Sequence, residues 1–383
     1  MKSNKLIKIY IIATEPSGDV IGSNLIKSFK KEKDINVRFY GVGGHKMIKS
    51  GLVKSLFPIE ELSIFGLFEV FPKIYKVFKL LKKTENDLLQ KKPNFLITID
   101  SPDFNFRILK RISNKIPLIK KIHYVAPTVW AWRSGRAKHL ANYVDKLITI
   151  LPFEKKYFTK YHLETKFVGH PVFDLNNSKK VNIKNLYKKY NIKKNTYVIS
   201  CLPGSRLSEL KRSLPVLIKS MQLLKEKTKK NIHILFYILP HLIKSFQKFK
   251  FNFNYSLVVE KDKYKCFKIS DVAVSTSGTA ALELSYFKIP TIVIYKLNLF
   301  SYFLAKIFVR VKYANLLNII EKKYIIPEFL QFKCRPDLIS FELLKLLSNK
   351  NYSKKQISNA QKALNKLRSN NKLPSVNVVK EIT

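Results

Sequence analysis

Cysteine is too scarce and too widely spaced to organise this chain of 383 residues. Cys201, Cys266 and Cys334 form no Cys-x-x-Cys pair and no cluster with histidine. This spacing argues against a disulfide framework and against a zinc site. It fits a protein of a reduced, cytosolic compartment.

Acidic residues are also scarce, with 26 Asp and Glu against 72 Lys and Arg, which gives a net charge of +46. A field of this size attracts polyanions such as nucleic acid, anionic membranes and phosphorylated substrates. Glycine and alanine are rare, however, while Lys, Asn, Ile, Phe and Tyr are all abundant. These five residues have A/T-rich codons, so compositional drift explains part of the excess lysine. The charge therefore indicates tolerance of anions rather than binding of DNA.

No apolar run is long enough to predict a membrane span. The run at 5–13 is short and acidic residues follow it at once, so we interpret it as a buried strand rather than a signal sequence. The longer run at 289–309 contains two lysines, which a spanning helix rarely carries near its centre. It predicts a strand at Thr291–Tyr295 and an apolar helix at Ser301–Val309. Any membrane contact should then be peripheral.

Short apolar segments alternate with polar loops and helical stretches, and the length of the chain favours two domains. Several segments are continuously apolar, as in parallel strands that are covered by helices on both faces. The sequence therefore predicts an α/β protein with two doubly wound sheets. The predicted strands are Ile7–Ala13, Val37–Tyr40, Phe95–Ile99, Lys121–Val125, Lys146–Leu151, Tyr197–Leu202, Ile232–Leu239, Leu257–Val259, Val272–Val274 and Thr291–Tyr295.

A polar stretch rich in Lys and Asn, at 176–195, separates the two sets of strands. We expect a first domain over 1–170 and a second domain over 171–349. The closing segment, Asp337–Arg368, predicts polar helices. We allow for the last helices, about 350–383, to pack back on the first domain.

Ligands of open parallel sheets bind at the carboxyl ends of the strands, so the loops at that edge carry the candidate sites. In the loop after the first strand, Ser17 or Asp19 is placed to cap the next helix, and Gly18 allows an anion to approach the backbone. An ordinary capped turn is the alternative. The glycine-rich loop at 41–44 follows the second strand; a tight turn is favoured there over a bound sugar or phosphate.

Asp100 ends an apolar strand, where a carboxylate beside an apolar wall can have a raised pKa and act as a general base. Asp103 is placed to cap the helix that starts near Phe104. We assign chemistry to Asp100 and capping to Asp103. The alternative is that Asp100 is the cap.

Two loops of the second half have the composition of phosphate sites. Gly204, Ser205 and Arg206 lie between a strand and a helix, and arginine binds a diphosphate through its bidentate fork. Residues 275–279 again follow a strand, and their small and hydroxyl side chains open a helix. Glu283, one turn further on, is placed to accept the two hydroxyls of a ribose. The alternative is that it is a solvated helix residue.

Both tryptophans of the chain, Trp130 and Trp132, lie in the segment 123–136, together with Arg133 and Arg136. An aromatic pair beside two arginines suits a ligand that is part apolar and part anionic. The alternative is a core or interface aromatic pair next to a solvated basic turn.

Ten stretches, in the same order along the chain, resemble the lipid-A-disaccharide synthase family. The stretch with both tryptophans is the most specific of them. The stretches are 15–19, 41–44, 64–70, 99–105, 123–133, 151–154, 167–170, 202–206, 277–283 and 315–318.

The resemblance implies a GT-B fold with two Rossmann-like domains, the first for the acceptor and the second for a UDP-sugar, and an active site in the cleft between them. It implies an inverting transfer from UDP-2,3-diacylglucosamine to 2,3-diacylglucosamine 1-phosphate (lipid X), which gives lipid A disaccharide 1-phosphate and UDP. No cofactor is implied, and no DxD-like pair indicates a metal. The implied location is cytoplasmic, at the inner face of the inner membrane. Nucleic acid is not an expected partner, and a homodimer stays open.

The resemblance also assigns roles to individual residues. Asp100 is the implied base for the acceptor 6-hydroxyl, and Arg206 stabilises the departing UDP. The implied donor-binding residues are Gly204, Ser205, Arg206, Ser277, Gly278, Thr279, Glu283 and Asn318. The implied acceptor-binding residues are Glu15, Ser17, Gly18, Asp19, Asn105, His123, Trp130, Trp132 and Arg133.

The aromatic segment at 64–78, with its interleaved lysines, has two interpretations. It is either a surface that meets acyl chains or the bilayer, or a buried amphipathic helix. The positive charge of the chain favours an anionic leaflet. The expected membrane-facing residues are Phe65, Leu67, Phe68, Phe71 and Ile74.

The chain departs from the family pattern at Thr14, Pro16 and His45, which affects the details of the acceptor loop. Two rivals share the architecture, the muramyl-pentapeptide N-acetylglucosaminyltransferase of wall synthesis and UDP-N-acetylglucosamine 2-epimerase. Neither is expected to carry the tryptophan segment. A nucleic-acid-binding protein is the rival of another class, but lysine is spread along the chain and no recognised module is present.

Overall fold

The computed structural model describes residues 6–32, 35–63, 70–175, 181–276, 278–308 and 311–383. The chain forms two compact units. The first unit contains Met1–Asp174 and Leu367–Thr383, and the second contains Leu175–Lys366.

The first unit is built on a parallel sheet of six strands. The strands are β1 (Ile7–Ala13), β2 (Val37–Val42), β3 (Phe95–Ile99), β4 (Lys120–Tyr124), β5 (Lys146–Thr149) and β6 (Glu164–Phe167). Their order in the sheet is β2-β1-β3-β4-β5-β6. Because every neighbouring pair is parallel, all the carboxyl ends lie at one edge. The helices of this part of the chain are α1 (Pro16–Phe29), α2 (His45–Ser50), α3 (Glu60–Ser63), α4 (Val70–Lys91), α5 (Pro102–Ser113), α6 (Arg136–Ala141) and α7 (Lys156–Thr159), followed by a 3₁₀ turn at Pro171–Asp174.

The second unit repeats this plan. Its strands are β7 (Thr196–Leu202), β8 (Asn231–Phe236), β9 (Asn254–Leu257), β10 (Val272–Ser275), β11 (Thr291–Tyr295) and β12 (Glu328–Leu330). They are parallel, in the order β12-β11-β10-β7-β8-β9. The remaining helices are α8 (Ile183–Lys189), α9 (Leu207–Lys227), α10 (Ile243–Phe246), α11 (Lys263–Phe267), α12 (Thr279–Tyr286), α13 (Leu299–Phe308), α14 (Leu316–Glu321), α15 (Pro336–Ser348), α16 (Lys350–Asn365) and α17 (Pro374–Ile382), with 3₁₀ turns at Pro240–Leu242, Glu260–Asp262 and Gln331–Lys333.

Both faces of the first sheet are covered, because side chains alternate along each strand. On β1, Tyr10 packs on one face in the cluster that contains Leu81 of α4. Ile11 packs on the other face with Leu25 of α1 and Val378 of α17. Strands that are buried on both sides read as continuous apolar runs, which is the pattern of the sequence.

The second sheet is covered on both faces in the same way. On β7, Ile199 packs with Leu214 of α9, while Val198 packs on the opposite face with Leu186 of α8. Each unit therefore has its own hydrophobic core, as a separate domain requires.

The last helix, α17, returns to the first unit, while α16 belongs to the second unit. The Ser375 hydroxyl donates to Oδ1 of Asp174 at 2.8 Å and accepts from the Ser28 hydroxyl at 2.9 Å. Lys146 Nζ donates to the carbonyl of Glu381 at 2.8 Å. Burial raises the pKa of Asp174 to about 6. The C-terminal segment is thus held by buried polar contacts as well as by apolar packing.

The predicted fold class, two doubly wound α/β sheets, is confirmed. Each predicted strand overlaps an observed one, with ends displaced by up to three residues. Two strands were not predicted, β6 and β12. Both are short and lie at a sheet edge, where a strand has one neighbour and carries polar residues more often.

None of the helices in the described ranges has both the length and the apolar composition that a membrane span needs. The apolar helix predicted at Ser301–Val309 is α13. Of the residues expected to face a membrane, Phe65, Leu67 and Phe68 lie outside the described residues. Phe71 and Ile74 are described only by their place in α4.

Candidate active site

Asp100 directly follows β3, at the carboxyl edge of the first sheet. Asp100 and Ser101 both have left-handed backbones, with φ of +50° and +47°. Such strain in non-glycine residues persists only where the surroundings enforce it. Asn105 enforces it here, because its Nδ2 donates to the carbonyls of Asp100 at 2.6 Å and Ile99 at 3.2 Å. The amide of Asp100 also donates to the Tyr124 carbonyl at 2.9 Å, so the turn is fixed on both sides.

The environment of Asp100 changes its acidity. Burial raises the pKa of Asp100 to about 6, and the nearby Glu15 carboxylate adds to the rise. Glu15 is the residue before α1, so the loops after β1 and β3 bring the two carboxyl groups close together. A carboxyl group of this kind is mostly ionised at neutral pH and is more basic than an exposed one. These are the properties of a general base.

The loop after β1 differs from the prediction. Helix α1 begins at Pro16, and no side chain caps it. The prediction that Ser17 or Asp19 caps this helix is wrong, because proline suits the first helical position and starts the helix earlier. Gly18 has a packing role, since a Cβ there would lie 3.2 Å from the Cβ of Ala13 on β1.

Asp19 instead holds the glycine-rich loop after β2. Its carboxylate accepts from the amides of Lys46 at 3.0 Å and Met47 at 2.9 Å, in the first turn of α2. A Cβ on Gly44 would lie 2.6 Å from Oδ2 of Asp19, so the close approach requires glycine. The arrangement agrees with the tight turn that the sequence favours at 41–44.

The prediction that Asp103 caps α5 is also wrong. The residue before α5 is Ser101, and Pro102 starts the helix, so Asp103 already lies in its first turn. The exposed Asp103 carboxylate is instead paired with Arg136, the last residue of the tryptophan segment at 123–136. This ion pair ties the segment to α5.

The two tryptophans have different environments. Trp132 is exposed, and the guanidinium groups of Arg133 and Arg136 lie 4.2 Å and 5.7 Å from its ring centre. Trp130 is half-buried and packs edge-on against Phe153, with ring centres 5.3 Å apart. One tryptophan is therefore an anchor, and the other offers an aromatic and cationic surface.

Glu154 holds the anchor tryptophan. Its carboxyl group is buried, accepts from the Trp130 indole at 3.3 Å and accepts from the Leu151 amide at 3.1 Å. Burial raises the pKa of Glu154 to about 8. The contact fixes the tryptophan segment to the loop after β5.

His123 lies in the interior of the first unit. Its Nδ1 is 2.8 Å from the Thr98 hydroxyl, and its ring packs edge-on against Phe106. Burial lowers the pKa of His123 to about 3, so the ring is neutral at physiological pH. Within the described residues, His123 Nε2 and Asn105 Oδ1 are buried without a hydrogen-bond partner.

In the second unit, a carboxylate organises the loop after β7. Oε2 of Glu209 accepts from the amides of Ser205 at 2.9 Å and Arg206 at 3.3 Å. Gly204 has φ of +123°, and a Cβ there would lie 2.6 Å from the Cβ of Glu209. The amides of Ser205 and Arg206 are thus already engaged, while the Arg206 side chain is exposed.

The loop after β10 lies beside the loop after β7. The Thr276 amide donates to the Leu202 carbonyl at 3.1 Å. Gly278 has φ of +75°, and a Cβ there would meet no atom within 4 Å. Thr279 is exposed and is the first residue of α12. Ser277 lies outside the described residues.

Glu283 on α12 is not simply solvated. Oε2 accepts from Lys263 Nζ at 2.5 Å, and Oε1 accepts from the Tyr264 hydroxyl at 3.3 Å. A carboxylate has about four acceptor positions, so Glu283 keeps capacity for further donors.

Asn318 has no such capacity. Its Nδ2 donates to the Ile326 carbonyl at 2.8 Å and to Glu328 at 2.7 Å. Its Oδ1 accepts from the amides of Ile325 and Ile326, both at 2.8 Å. The amide side chain therefore uses all four of its hydrogen-bonding positions inside the unit.

We expect Asn318→Ala to destabilise the protein by about 2–4 kcal/mol, because it leaves two backbone amides, a carbonyl and the buried Glu328 carboxylate without this partner. The loss should appear as a lower midpoint of thermal unfolding, while the exposed Asn114→Ala serves as control. An unchanged midpoint would contradict this and favour a direct contact between Asn318 and a ligand.

Three carboxylates that hold the motifs were not predicted from the sequence, Glu154, Glu209 and Glu328. Glu209 had a usable signal, since an acid three residues after a helix start is typical of a capping arrangement. Glu154 ends one of the ten stretches, but nothing local connects it to a tryptophan 24 residues away. Glu328 has no sequence signal. In the described part of the chain, no group of three or more His, Cys, Asp and Glu side chains is arranged to hold a metal ion.

Comparison with solved structures identifies the class of fold. A putative UDP-N-acetylglucosamine 2-epimerase from Listeria monocytogenes superposes with a TM-score of 0.67 at 10% identity, over 99% of this chain and 96% of that one. A UDP-GlcNAc 2-epimerase from Neisseria meningitidis gives 0.65 at 12% identity, over 98% and 99% of the chains. At these identities the likeness shows the fold alone, which is the GT-B fold with two Rossmann-like domains.

Sequence comparison identifies the family. The model of the lipid-A-disaccharide synthetase family matches residues 9–382. A lipid-A-disaccharide synthase from Rickettsia bellii (strain OSU 85-389) is 38% identical over 366 residues, 94% of each chain. One from Rickettsia canadensis (strain McKiel) is 40% identical over 377 residues, 97% of this chain and 95% of its own. The chain belongs to the lipid-A-disaccharide synthetase family, and is a UDP-sugar-dependent glycosyltransferase of lipid A biosynthesis.

Proposed function

We propose that this protein condenses UDP-2,3-diacylglucosamine with 2,3-diacylglucosamine 1-phosphate, forming lipid A disaccharide 1-phosphate and UDP. Family membership over residues 9–382 is the observation that carries the reaction. The environment of Asp100 supports the choice of base.

In this proposal Asp100 takes the proton of the acceptor 6-hydroxyl as that oxygen attacks the anomeric carbon of the donor. The bond from this carbon to the diphosphate oxygen breaks on the opposite face, so the configuration inverts. The electron pair leaves on UDP, and Asp100 later releases the proton to water. The fixed turn at Asp100 supports this role, because a base acts only when it is held within reach of the hydroxyl.

Other residues of the first unit are assigned to the acceptor. Trp132 and Arg133 present an aromatic face and positive charge, which suit a phosphorylated glycolipid. Glu15 acts on Asp100 through its charge. Asn105 and Asp19 act as positioning residues, since their contacts are with the backbone. Ser17 and Gly18, in the first turn of α1, are assigned to the acceptor site, and His123, which is buried on β4, is assigned a supporting role there.

In the second unit, Arg206 neutralises the charge that develops on the departing diphosphate. Its exposed guanidinium beside ordered backbone supports this role. Gly204, Ser205, Gly278 and Thr279 belong to the two strand-to-helix connections of this unit that we assign to the donor, and Ser277 is assigned to the donor from the sequence. Glu283 accepts hydroxyl groups of the ribose with its remaining acceptor positions, and Asn318 shapes the site from within.

The substrates carry acyl chains, so we also propose peripheral contact with the cytoplasmic face of the inner membrane. The segment at 64–78 is the part of the first unit that we assign to it, because it is rich in aromatic residues and carries Lys73 and Lys76.

The direct test is incubation of the purified protein with both lipids in the presence of EDTA. We expect stoichiometric release of UDP and disaccharide 1-phosphate, since the proposed chemistry uses arginine rather than a metal. Product that forms only when Mg²⁺ replaces EDTA would contradict metal independence. Epimerisation of UDP-N-acetylglucosamine without any disaccharide would overturn the proposed reaction.

A further inference from the structure

The second unit carries an apolar surface on α13. Leu299, Phe303 and Ile307 are spaced four residues apart, so they lie along one face of the helix. All three are exposed, Ile307 to 72%, and the neighbouring Phe308 is exposed as well. Large apolar side chains that are exposed together, rather than singly, mark interaction sites.

A second element extends this surface. The Tyr302 ring on α13 packs edge-on against Phe332, with ring centres 5.6 Å apart. Phe332 itself is 67% exposed. We call the set of exposed apolar residues the α13 patch. Its members are Leu299, Phe303, Ile307 and Phe332.

The charge around the α13 patch has one dominant sign. Lys306 lies on the same helix face and Lys333 follows Phe332; both side chains are exposed. The segment 296–335 contains eight Lys and Arg but two acids. Glu321 is paired with Lys366, and the Glu328 carboxylate is buried against amide donors.

We propose that the α13 patch docks on the surface of an anionic bilayer. Exposed apolar side chains with lysines beside them match the interface of such a membrane, where the apolar side chains enter the acyl boundary and the ammonium groups meet lipid headgroups. The inference rests on the proposed function in one respect: the proposed donor carries acyl chains, and the second unit, which we assign to donor binding, must therefore take it from the bilayer.

Charge disfavours a second copy of the chain as the occupant. A symmetric dimer through this patch would bring Lys306 and Lys333 of one copy close to the same two lysines of the other copy. The net charge of +46 adds repulsion at longer range. The same charges attract phosphatidylglycerol.

The test is flotation of the full chain with vesicles of phosphatidylcholine, with and without phosphatidylglycerol, in the absence of substrates. The double variant Phe303→Ser/Ile307→Ser is expected to lower partition onto anionic vesicles by about tenfold or more. The matched control is Val53→Ser/Leu118→Ser, which removes two exposed apolar side chains of the first unit and should stay within about twofold of wild type. Lys306→Glu should weaken binding at low salt more than at high salt.

Vesicle binding by the α13 double variant equal to that of wild type would overturn the proposal. So would a change in oligomeric mass with unchanged vesicle binding, because the occupant would then be a second copy. Activity on detergent-dispersed lipids separates this inference from the proposed function. If wild type binds vesicles but is inactive on detergent-dispersed lipids, the proposed reaction is refuted and the docking surface is not. If the double variant is active on detergent-dispersed lipids but does not bind vesicles, the result supports docking through the α13 patch.

Discussion

Asp100→Asn is expected to lower kcat by about 10²–10⁴-fold, since an amide cannot take the proton of the acceptor hydroxyl. Asparagine is the appropriate substitution, because it tolerates the left-handed backbone that Asp100 adopts at φ +50°. Alanine would add backbone strain to the loss of the base. Single-turnover rates with saturating lipids measure the effect directly.

The pH profile distinguishes loss of a base from general damage. With a pKa of about 6, wild-type kcat/KM should fall below pH 6 as Asp100 becomes protonated. The residual rate of Asp100→Asn should lack this acidic limb. Asp103→Asn, three residues away, should keep the limb, because Asp103 is exposed, pairs with Arg136 and is not the proposed base. An acidic limb that persists in Asp100→Asn would show that another group is the base.

Stability should change in the opposite direction from activity. The folded-state pKa of Asp100 is raised from 3.8 to about 6, so the folded protein holds this proton more tightly than the unfolded chain. The resulting stability is present at acidic pH and is lost as pH rises through about 6. At neutral pH, Asp100→Asn should therefore unfold with a free energy up to about 3 kcal/mol higher than wild type. The difference should disappear near pH 4.

The strands could be predicted because burial on both faces leaves a continuous apolar run, as in Ile7–Ala13. The edge strands β6 and β12 could not be predicted, because each has four residues or fewer. In β6, moreover, Glu164 and Lys166 face solvent and interrupt the apolar pattern. The position of Asp100 at the carboxyl edge of the sheet could also be predicted, since Asp100 directly follows a buried apolar strand.

The partners of the acidic side chains could not be predicted. Local spacing placed Asp19 and Asp103 as caps of their own helices, but their contacts lie 28 and 33 residues away. Such partners depend on which loops are neighbours at the sheet edge. The order of the strands in the sheet decides this, and the spacing of residues along the chain does not reveal that order. Glu154 shows the same effect, because its contact with Trp130 joins the loops after β4 and β5.

Arg206→Ala is expected to lower kcat by about 10²–10³-fold, because it removes the positive charge that meets the departing diphosphate. Arg206→Lys should recover part of this rate, since lysine keeps the charge but lacks the bidentate fork. Arg212→Gln is a matched control, because Arg212 and Arg206 both act on the electrostatics of Tyr295 and so share one neighbourhood. An equal loss in both variants would indicate a general field rather than a specific contact.

A variant of Glu209 tests whether the backbone order of the loop that carries Arg206 contributes to the same step. The Glu209 carboxylate orders the backbone of Ser205 and Arg206 without occupying the Arg206 side chain. Glu209→Gln keeps the shape but weakens the charge-assisted hydrogen bonds, so kcat should fall by about tenfold or less while the affinity for UDP changes little. Because loop order and guanidinium charge serve the same step, the double variant with Arg206→Ala should be little slower than Arg206→Ala alone. Fully additive losses would show that Glu209 acts on the reaction independently of Arg206.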